Sequence, residues 1–249
     1  MITIGMGILL SIPQWLTAQW VQAGNPGGGW ITSFVVSGTN LFVSTRGGGV
    51  FLSVDNGRGW KAVSAGLPGK CLVFRLLANG SDLFAAAGAK SIGVSLSTDN
   101  GANWTPANSG LPDTNIFCLA ASGTNLFAGT EEGKVWRLPL SEGSYEKWYC
   151  WGDGYLSAGR TDDAIAAFEK GLKLKPDIPE AWYSLGILYV EAGRAGDAVA
   201  AYEQAVKLKP SFAEAWYALG GCYEKAGRKN DAAAASERAR SLKPELFKK

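Results

Sequence analysis

The chain has 249 residues, enough for one large domain or two smaller ones, and 47% hydrophobic with 18% charged residues suits packed cores. Lys plus Arg number 24 against 22 Asp plus Glu, a net charge of +2, so no basic excess exists to neutralise phosphates and nucleic acid is not expected as a partner. Histidine is absent, which removes the commonest general base, the commonest zinc ligand and every triad built on imidazole.

From the start of the chain, Ile2–Ile12 is an apolar run broken by Gly5, Gly7 and Ser11 and stopped by Pro13. It is too short to cross a bilayer as a helix, which takes roughly 20 residues, so no membrane span is expected. It fits the apolar region of a secretory signal peptide, with Leu16-Thr17-Ala18 as a weak cleavage site. Residues 1–19 are therefore expected to be a signal peptide, and the protein periplasmic or secreted. The run has no Lys or Arg before it, as a truncated start would leave it. The alternative is a hydrophobic N-terminal strand and a cytoplasmic protein.

Composition then changes along the chain. Residues 1–143 hold 23 of the 33 Gly with only 8 Lys/Arg and 7 Asp/Glu, whereas residues 144–249 hold 16 and 15. The first part reads as short strands and turns, the second as helices with charged surfaces, with a boundary near Ser141–Ser144. In the first part a unit of 42 to 44 residues repeats. Ser53–Trp60 (SVDNGRGW) returns as Ser97–Trp104 (STDNGANW), and SGTNLF occurs at 37–42 and 122–127 with NGSDLF at 79–84 between them. Each unit offers three or four β-prone runs, such as Ile31–Val36, Asn40–Ser44, Val50–Ser53 and Trp60–Val63, the length and strand count of one propeller blade.

The S-x-D-x-G-x-x-W pattern, carried by Ser53, Asp55, Gly57 and Trp60 and again by Ser97, Asp99, Gly101 and Trp104, resembles the Asp-box of sialidase-type (BNR) β-propellers. The resemblance implies a partial, about three-blade, antiparallel β-propeller over residues 20–142. The Asp side chains would accept bonds from turn amides, Gly57 and Gly101 would take positive φ, and each Trp would bury its ring between blades. It implies a turn device away from any active site. Sialidase activity does not carry over, because Arg46, Arg58, Arg75 and Arg137 match no arginine triad and no Tyr precedes Tyr145. Trp20–Gln22 resembles an outer strand and is expected to complete the last blade.

In the second part WYCWGDGYLSAGR starts at Trp148, WYSLGILYVEAGR at Trp182 and WYALGGCYEKAGR at Trp216, a period of 34. With Gly152, Gly186, Gly220, Tyr155, Tyr189, Tyr223, Ala164, Ala198, Ala232 and Pro176, Pro210, Pro244 in register, this resembles the tetratricopeptide repeat (TPR). The implied fold is an all-α solenoid of three helix pairs over 145–249, divided 145–178, 179–212 and 213–246. Trp151 replaces the usual Leu, and Ser236 the usual aromatic. By the family pattern a partner-binding groove is lined by Tyr149, Asp153, Tyr183, Ile187, Glu191, Tyr217 and Lys225. The alternative is that these tyrosines only pack on neighbouring helices. No Lys–Asn pair stands where the chaperone-binding members hold a C-terminal carboxylate.

Cys71, Cys118, Cys150 and Cys222 show no C-x-x-C and are expected to be buried free thiols. Catalytic residues, metal and cofactor are expected to be none. The expected function is a non-enzymatic protein–protein interaction scaffold, taking a protein or peptide in the TPR groove beside a propeller-like display module. The alternatives are a glycan-binding or glycoside hydrolase propeller, and a fused remnant in which only the helical array works. Three blades are too few for a ring, so the sheet half is either an open stack or one half of a homodimer.

Overall fold

The structure is a computed structural model that describes residues 21–68, 72–87 and 92–247. The expected signal peptide, Trp20 and Cys71 lie outside the described residues.

The first part forms three antiparallel sheets in meander order. The first is β1 (Ile31–Ser37), β2 (Asn40–Thr45), β3 (Gly49–Ser53) and β4 (Lys61–Ala62). The second is β5 (Val73–Asn79), β6 (Asp82–Ala87), β7 (Gly93–Ser97) and β8 (Thr105–Pro106). The third has β9 (Ile116–Ser122), β10 (Asn125–Thr130) and β11 (Val135–Pro139), and no fourth strand among the described residues. The hairpins β1–β2, β5–β6 and β9–β10 turn at Gly38, Gly80 and Gly123, each at φ near +60°, which a two-residue hairpin loop requires.

The sheets stack in chain order. Alternation of side chains gives each sheet a forward face and a rear face. Phe42, Val50 and Val35 on the forward face of the first sheet pack on Val73, Leu76, Leu83 and Ala85 on the rear of the second. Phe84, Ala86, Val94 and Leu96 on the forward face of the second pack on Leu119, Leu126 and Ala128 on the rear of the third. The inner strands are also tied directly. Leu76 N–H donates to Ser33 Oγ at 3.1 Å, Thr32 Oγ1 donates to the Val73 carbonyl at 2.6 Å, and the Phe74 and Phe117 rings stack at 5.0 Å.

Among the described residues the N-terminal segment does not complete the third sheet. Gly24 N–H donates to the Gly57 carbonyl at 2.6 Å, and Ala23 lies against Gly57. The segment thus lies on the first sheet's turn, because its Ala-Gly pair precedes the first sheet as Ala65-Gly66 precedes the second. Gly66 in turn approaches the Trp104 carbonyl too closely to accept a Cβ.

The second part is six helices in three antiparallel pairs: α1 (Tyr145–Ser157) with α2 (Thr161–Leu174), α3 (Pro179–Glu191) with α4 (Ala195–Leu208), and α5 (Ala213–Lys225) with α6 (Lys229–Leu242). A single 3-10 turn, Pro244–Phe247, follows. The Gly of each first helix admits the partner helix: Phe168 lies on Gly152, Tyr202 on Gly186 and Ser236 on Gly220. Contacts repeat with the sequence. Trp148, Trp182 and Trp216 donate Nε1–H to the carbonyls of Glu142, Pro176 and Pro210. Arg160, Arg194 and Arg228 pair with Asp163, Asp197 and Asp231 and cover the rings of Tyr155, Tyr189 and Tyr223.

The sheets and helices share one core, running from Phe84 and Leu126 through Trp151 to Ala235. The second sheet stands where a preceding helical repeat would be. Tyr189 and Tyr223 donate to Glu169 and Glu203 of the repeat before them, at 2.8 and 2.6 Å. Tyr155 has no such repeat before it, and its hydroxyl meets Thr98 Oγ1 at 3.2 Å instead. Gly154 lies so close to the Pro106 carbonyl that no Cβ fits between them.

Candidate partner-binding face

Two hairpin turns carry the first set of candidate residues. In the first, Ser53 Oγ donates to Asp55 Oδ1 and accepts from Gly57 N–H, both at 2.8 Å, and Gly59 N–H donates to Asp55 Oδ1 at 2.8 Å. The second repeats this: Ser97 Oγ to Asp99 Oδ1 at 2.8 Å, Gly101 N–H to Ser97 at 2.8 Å, and Asn103 N–H to Asp99 at 2.9 Å. Gly57 and Gly101 have φ of 86° and 81°, and Asn56 and Asn100 are left-handed too, at 57°. The Asn role was not drawn from the sequence; its signal was the Asn-Gly dipeptide in both copies.

The bond from Gly59 N–H, then that from Ser53, hold the Asp55 carboxyl below its ordinary range. At Asp99 burial acts upward and is outweighed by the Asn103 and Ser97 bonds, so its carboxyl also titrates low. Both carboxylates are consumed by their own turns. Trp104 is buried, with Nε1 donating to the Val63 carbonyl at 2.7 Å. Trp60 is only half-buried, and its Nε1 meets no hydrogen-bond partner among the described residues.

On the helices, the seven candidate groove residues divide. Tyr149 is half-buried against Gly171 and donates its hydroxyl to the Lys175 carbonyl at 2.7 Å. Tyr183 is half-buried between Tyr202 and Phe212, with ring centres 5.8 and 4.9 Å away. Burial pushes both hydroxyls up in pKa. These two rings are spent on inter-helix packing, and Phe212, at the end of the second repeat, closes over Tyr183. Tyr217 meets Phe247 of the short 3-10 turn edge-on at 5.2 Å and keeps 49% of its surface exposed.

Asp153 takes a hydrogen bond from Ser109 Oγ in the loop after β8, and its carboxyl is raised by burial, with the Ser109 bond acting the other way. It belongs to the junction with the sheets. Ile187 is half-buried, and Glu191 and Lys225 are exposed. Val190, at 40% exposure, joins them on α3, a position the sequence reading had not included.

The junction itself holds residues that sequence reasoning missed: Phe84, Thr98, Ser109 and Lys147. The Trp151 ring meets Phe84 edge-on at 5.9 Å. Lys147 is buried, pairs with Glu142 and lies 4.9 Å from the Trp148 ring. A cleft of about 350 Å³ opens here beside Asp82, Thr98, Glu142 and Trp148. Burial raises the Asp82 carboxyl, with Lys147 acting downward. The signal for this docking was Trp151, where the other two repeats have Leu185 and Leu219.

Cys118, Cys150 and Cys222 are free thiols. Cys150 is buried, and its thiol is pushed up to about 12 by that burial. Cys118, in contrast to the expectation, is exposed, because it lies on the forward face of the third sheet, which nothing described covers. No group of three or more His, Cys, Asp or Glu among the described residues could hold a metal ion. No described helix is long and apolar enough to cross a membrane.

The helical part is defined by sequence comparison. Residues 184–246 match the tetratricopeptide repeat family and residues 152–193 match the TPR repeat family, so this stretch consists of tetratricopeptide repeats. Neither match extends before residue 152. Among solved structures, a crystal structure of MamA is 27% identical with a TM-score of 0.41, over 43% of this chain and 63% of that one. A second MamA structure is 27% identical with a TM-score of 0.40, over 43% and 58%. The first TPR of Spaghetti (RPAP3), bound to the HSP90 peptide SRMEEVD, is 22% identical with a TM-score of 0.40, over 43% and 85%. The chain thus spans less than two thirds of either MamA chain. No curated protein matches the sequence.

Proposed function

We propose that the protein is a non-enzymatic interaction scaffold whose tetratricopeptide repeats take an extended peptide or partner segment along α3 and α5. The observation that carries this is the residual exposure of that face. Val190, Glu191, Tyr217 and Lys225 stay exposed while the other sides of the same helices are buried in the solenoid. Apolar and aromatic side chains flanked by Glu191 and Lys225 suit a peptide of mixed apolar and charged character, since rigid rings give contact area at low entropic cost. An acidic tail ending in a free carboxylate is not the ligand proposed, because no Lys–Asn pair stands on this face.

The three sheets are read as successive units of an Asp-box, propeller-type repeat. Two identical hydrogen-bonded turns and the shared register of the sheets support this reading. Their role here is display and support: they close the N-terminal end of the solenoid through Phe84, Thr98 and Ser109. That shared core speaks against a helical array working alone. Export is proposed on the composition of residues 1–19 only.

The test is selection of a random peptide display library on the full chain, followed by fluorescence anisotropy of an enriched peptide. Tyr217→Ala and Lys225→Glu, with folding checked by circular dichroism, should each weaken binding about tenfold, the scale of an interface hot spot. Enriched peptides indifferent to both substitutions, or no enrichment at all, would overturn the proposal.

A further inference from the structure

The repeat lets the burial of equivalent positions be compared across the three sheets. Phe34, Leu76 and Leu119 occupy the same place on the rear faces of the first, second and third sheets. Leu76 and Leu119 are each 4% exposed, because the sheet before them covers them, whereas Phe34 is 60% exposed. Val36, next on that face, is 62% exposed, and Ile31, opposite Thr45 on the same face, is 40% exposed. The forward faces show the complement. Phe42 and Phe84 are fully buried under the following sheet, while their equivalent Phe127 is half-exposed, beside exposed Cys118, Ala120 and Val135. Each end of the stack therefore carries a face whose counterpart is buried twice elsewhere in the same molecule.

We infer that these two faces are interfaces for a second copy of this chain: the rear of the first sheet packs on the forward face of the partner's third sheet. The inference rests on reading the sheets as successive units of one propeller-type repeat. The occupant follows from the interface already present. What covers a rear face here is a forward face of the same repeat, and among the described residues the one left uncovered is that of the third sheet. A head-to-tail contact made by both copies closes on itself under two-fold symmetry and leaves no open end. Two copies supply six sheets, within the 4–8 that propeller rings use, whereas three alone cannot close. The helices do not obstruct this arrangement. They pack along β8 and β11, leaving Cys118 and Ala120 in solvent.

The repeat also predicts which residues meet. Ser33 receives the N–H of Leu76 across the first and second sheets. Cys118 is the equivalent of Ser33, and Phe34 the equivalent of Leu76, so Cys118 of one copy should face Phe34 of the other.

Sedimentation equilibrium on the full chain, with far-ultraviolet circular dichroism, tests this. The expected result is a dimer whose dissociation constant rises by about tenfold or more in Phe34→Asp, with the β signal kept. Phe34→Cys should be joined to a second copy by a short bis-maleimide, and Cys118→Ser in that background should abolish the link. A monodisperse monomer, including one in which the chain's own N-terminus covers the rear face of the first sheet, would overturn the inference. So would a dimer indifferent to Phe34→Asp, or chains that lengthen with concentration. Absence of β signal from the wild-type chain would instead defeat the reading of the sheets themselves, and the dimer with it.

Discussion

Replacing Trp151 with Leu separates the demands of the solenoid from those of the sheets. Leu is the residue at this position in the other two repeats, where Leu185 and Leu219 are buried. If the helical repeat alone set the residue, Trp151→Leu would be neutral. In the structure the Trp151 ring is 3% exposed and meets Phe84 edge-on at 5.9 Å. The exchange removes roughly 60 Å³ of side chain, which at about 24 cal/mol per Å³ of unrelaxed cavity costs ~1.5 kcal/mol. Loss of the edge-on aromatic contact adds about 0.5–1.5 kcal/mol. A destabilisation of about 2–3 kcal/mol follows, or a Tm lower by roughly 4–12 °C for a chain of this size unfolding as one unit. Urea denaturation of the wild type, Trp151→Leu, Phe84→Ala and the double variant would show a coupling energy of about 0.5–1.5 kcal/mol between the two sites. A stabilised Trp151→Leu, or single effects that simply add, would refute the docking of α1 on the second sheet.

Tyr155→Phe and Tyr189→Phe should each cost about 0.5–1.5 kcal/mol in urea titrations, since each hydroxyl is bonded, to Thr98 and Glu169 respectively. Because Asp99 titrates below its unfolded value, the stability it lends is present above about pH 4 and lost as pH falls through the lower folded value. Asp99→Asn should therefore flatten the acid limb of a stability–pH profile. Thiol labelling under native conditions should leave Cys150 unreacted until unfolding, as its burial and raised pKa require. Ser236→Tyr should stabilise the chain by about 1 kcal/mol, because Ser236 leaves unfilled the place over Gly220 that Phe168 and Tyr202 fill over Gly152 and Gly186.

The solenoid was legible because its period is local: Trp, Gly, Tyr and Pro every 34 residues fix two helices and the approach between them. The sheets were legible as repeated strands and turns, because Ser53–Trp60 and Ser97–Trp104 write their hydrogen bonds into the sequence. What escaped was the fate of surfaces that depend on neighbours from elsewhere in the chain. Tyr149, Tyr183 and Tyr217 share one sequence position, yet Phe212 closes over Tyr183 while Tyr217 meets Phe247 of the short turn and stays exposed. Asp153 reads as a groove residue by spacing, and becomes part of the junction because Ser109 reaches it from the loop that follows the second sheet. Residues Val21–Gly24 resemble an outer strand, but the Ala-Gly pair ties them to the first sheet. Trp151 and Cys118 show the same limit: one residue is large because a sheet meets it, the other is bare because no described sheet does.

The central claim is that partners are taken on the first-helix face of the repeats. Hydrogen–deuterium exchange of the full chain, with and without a saturating peptide enriched by display selection, addresses it most directly. The account predicts new protection in α3 and α5, around Ile187–Glu191 and Tyr217–Lys225, with α4, α6 and the three sheets unchanged. Protection centred on α4 and α6, or confined to the sheets, would contradict it.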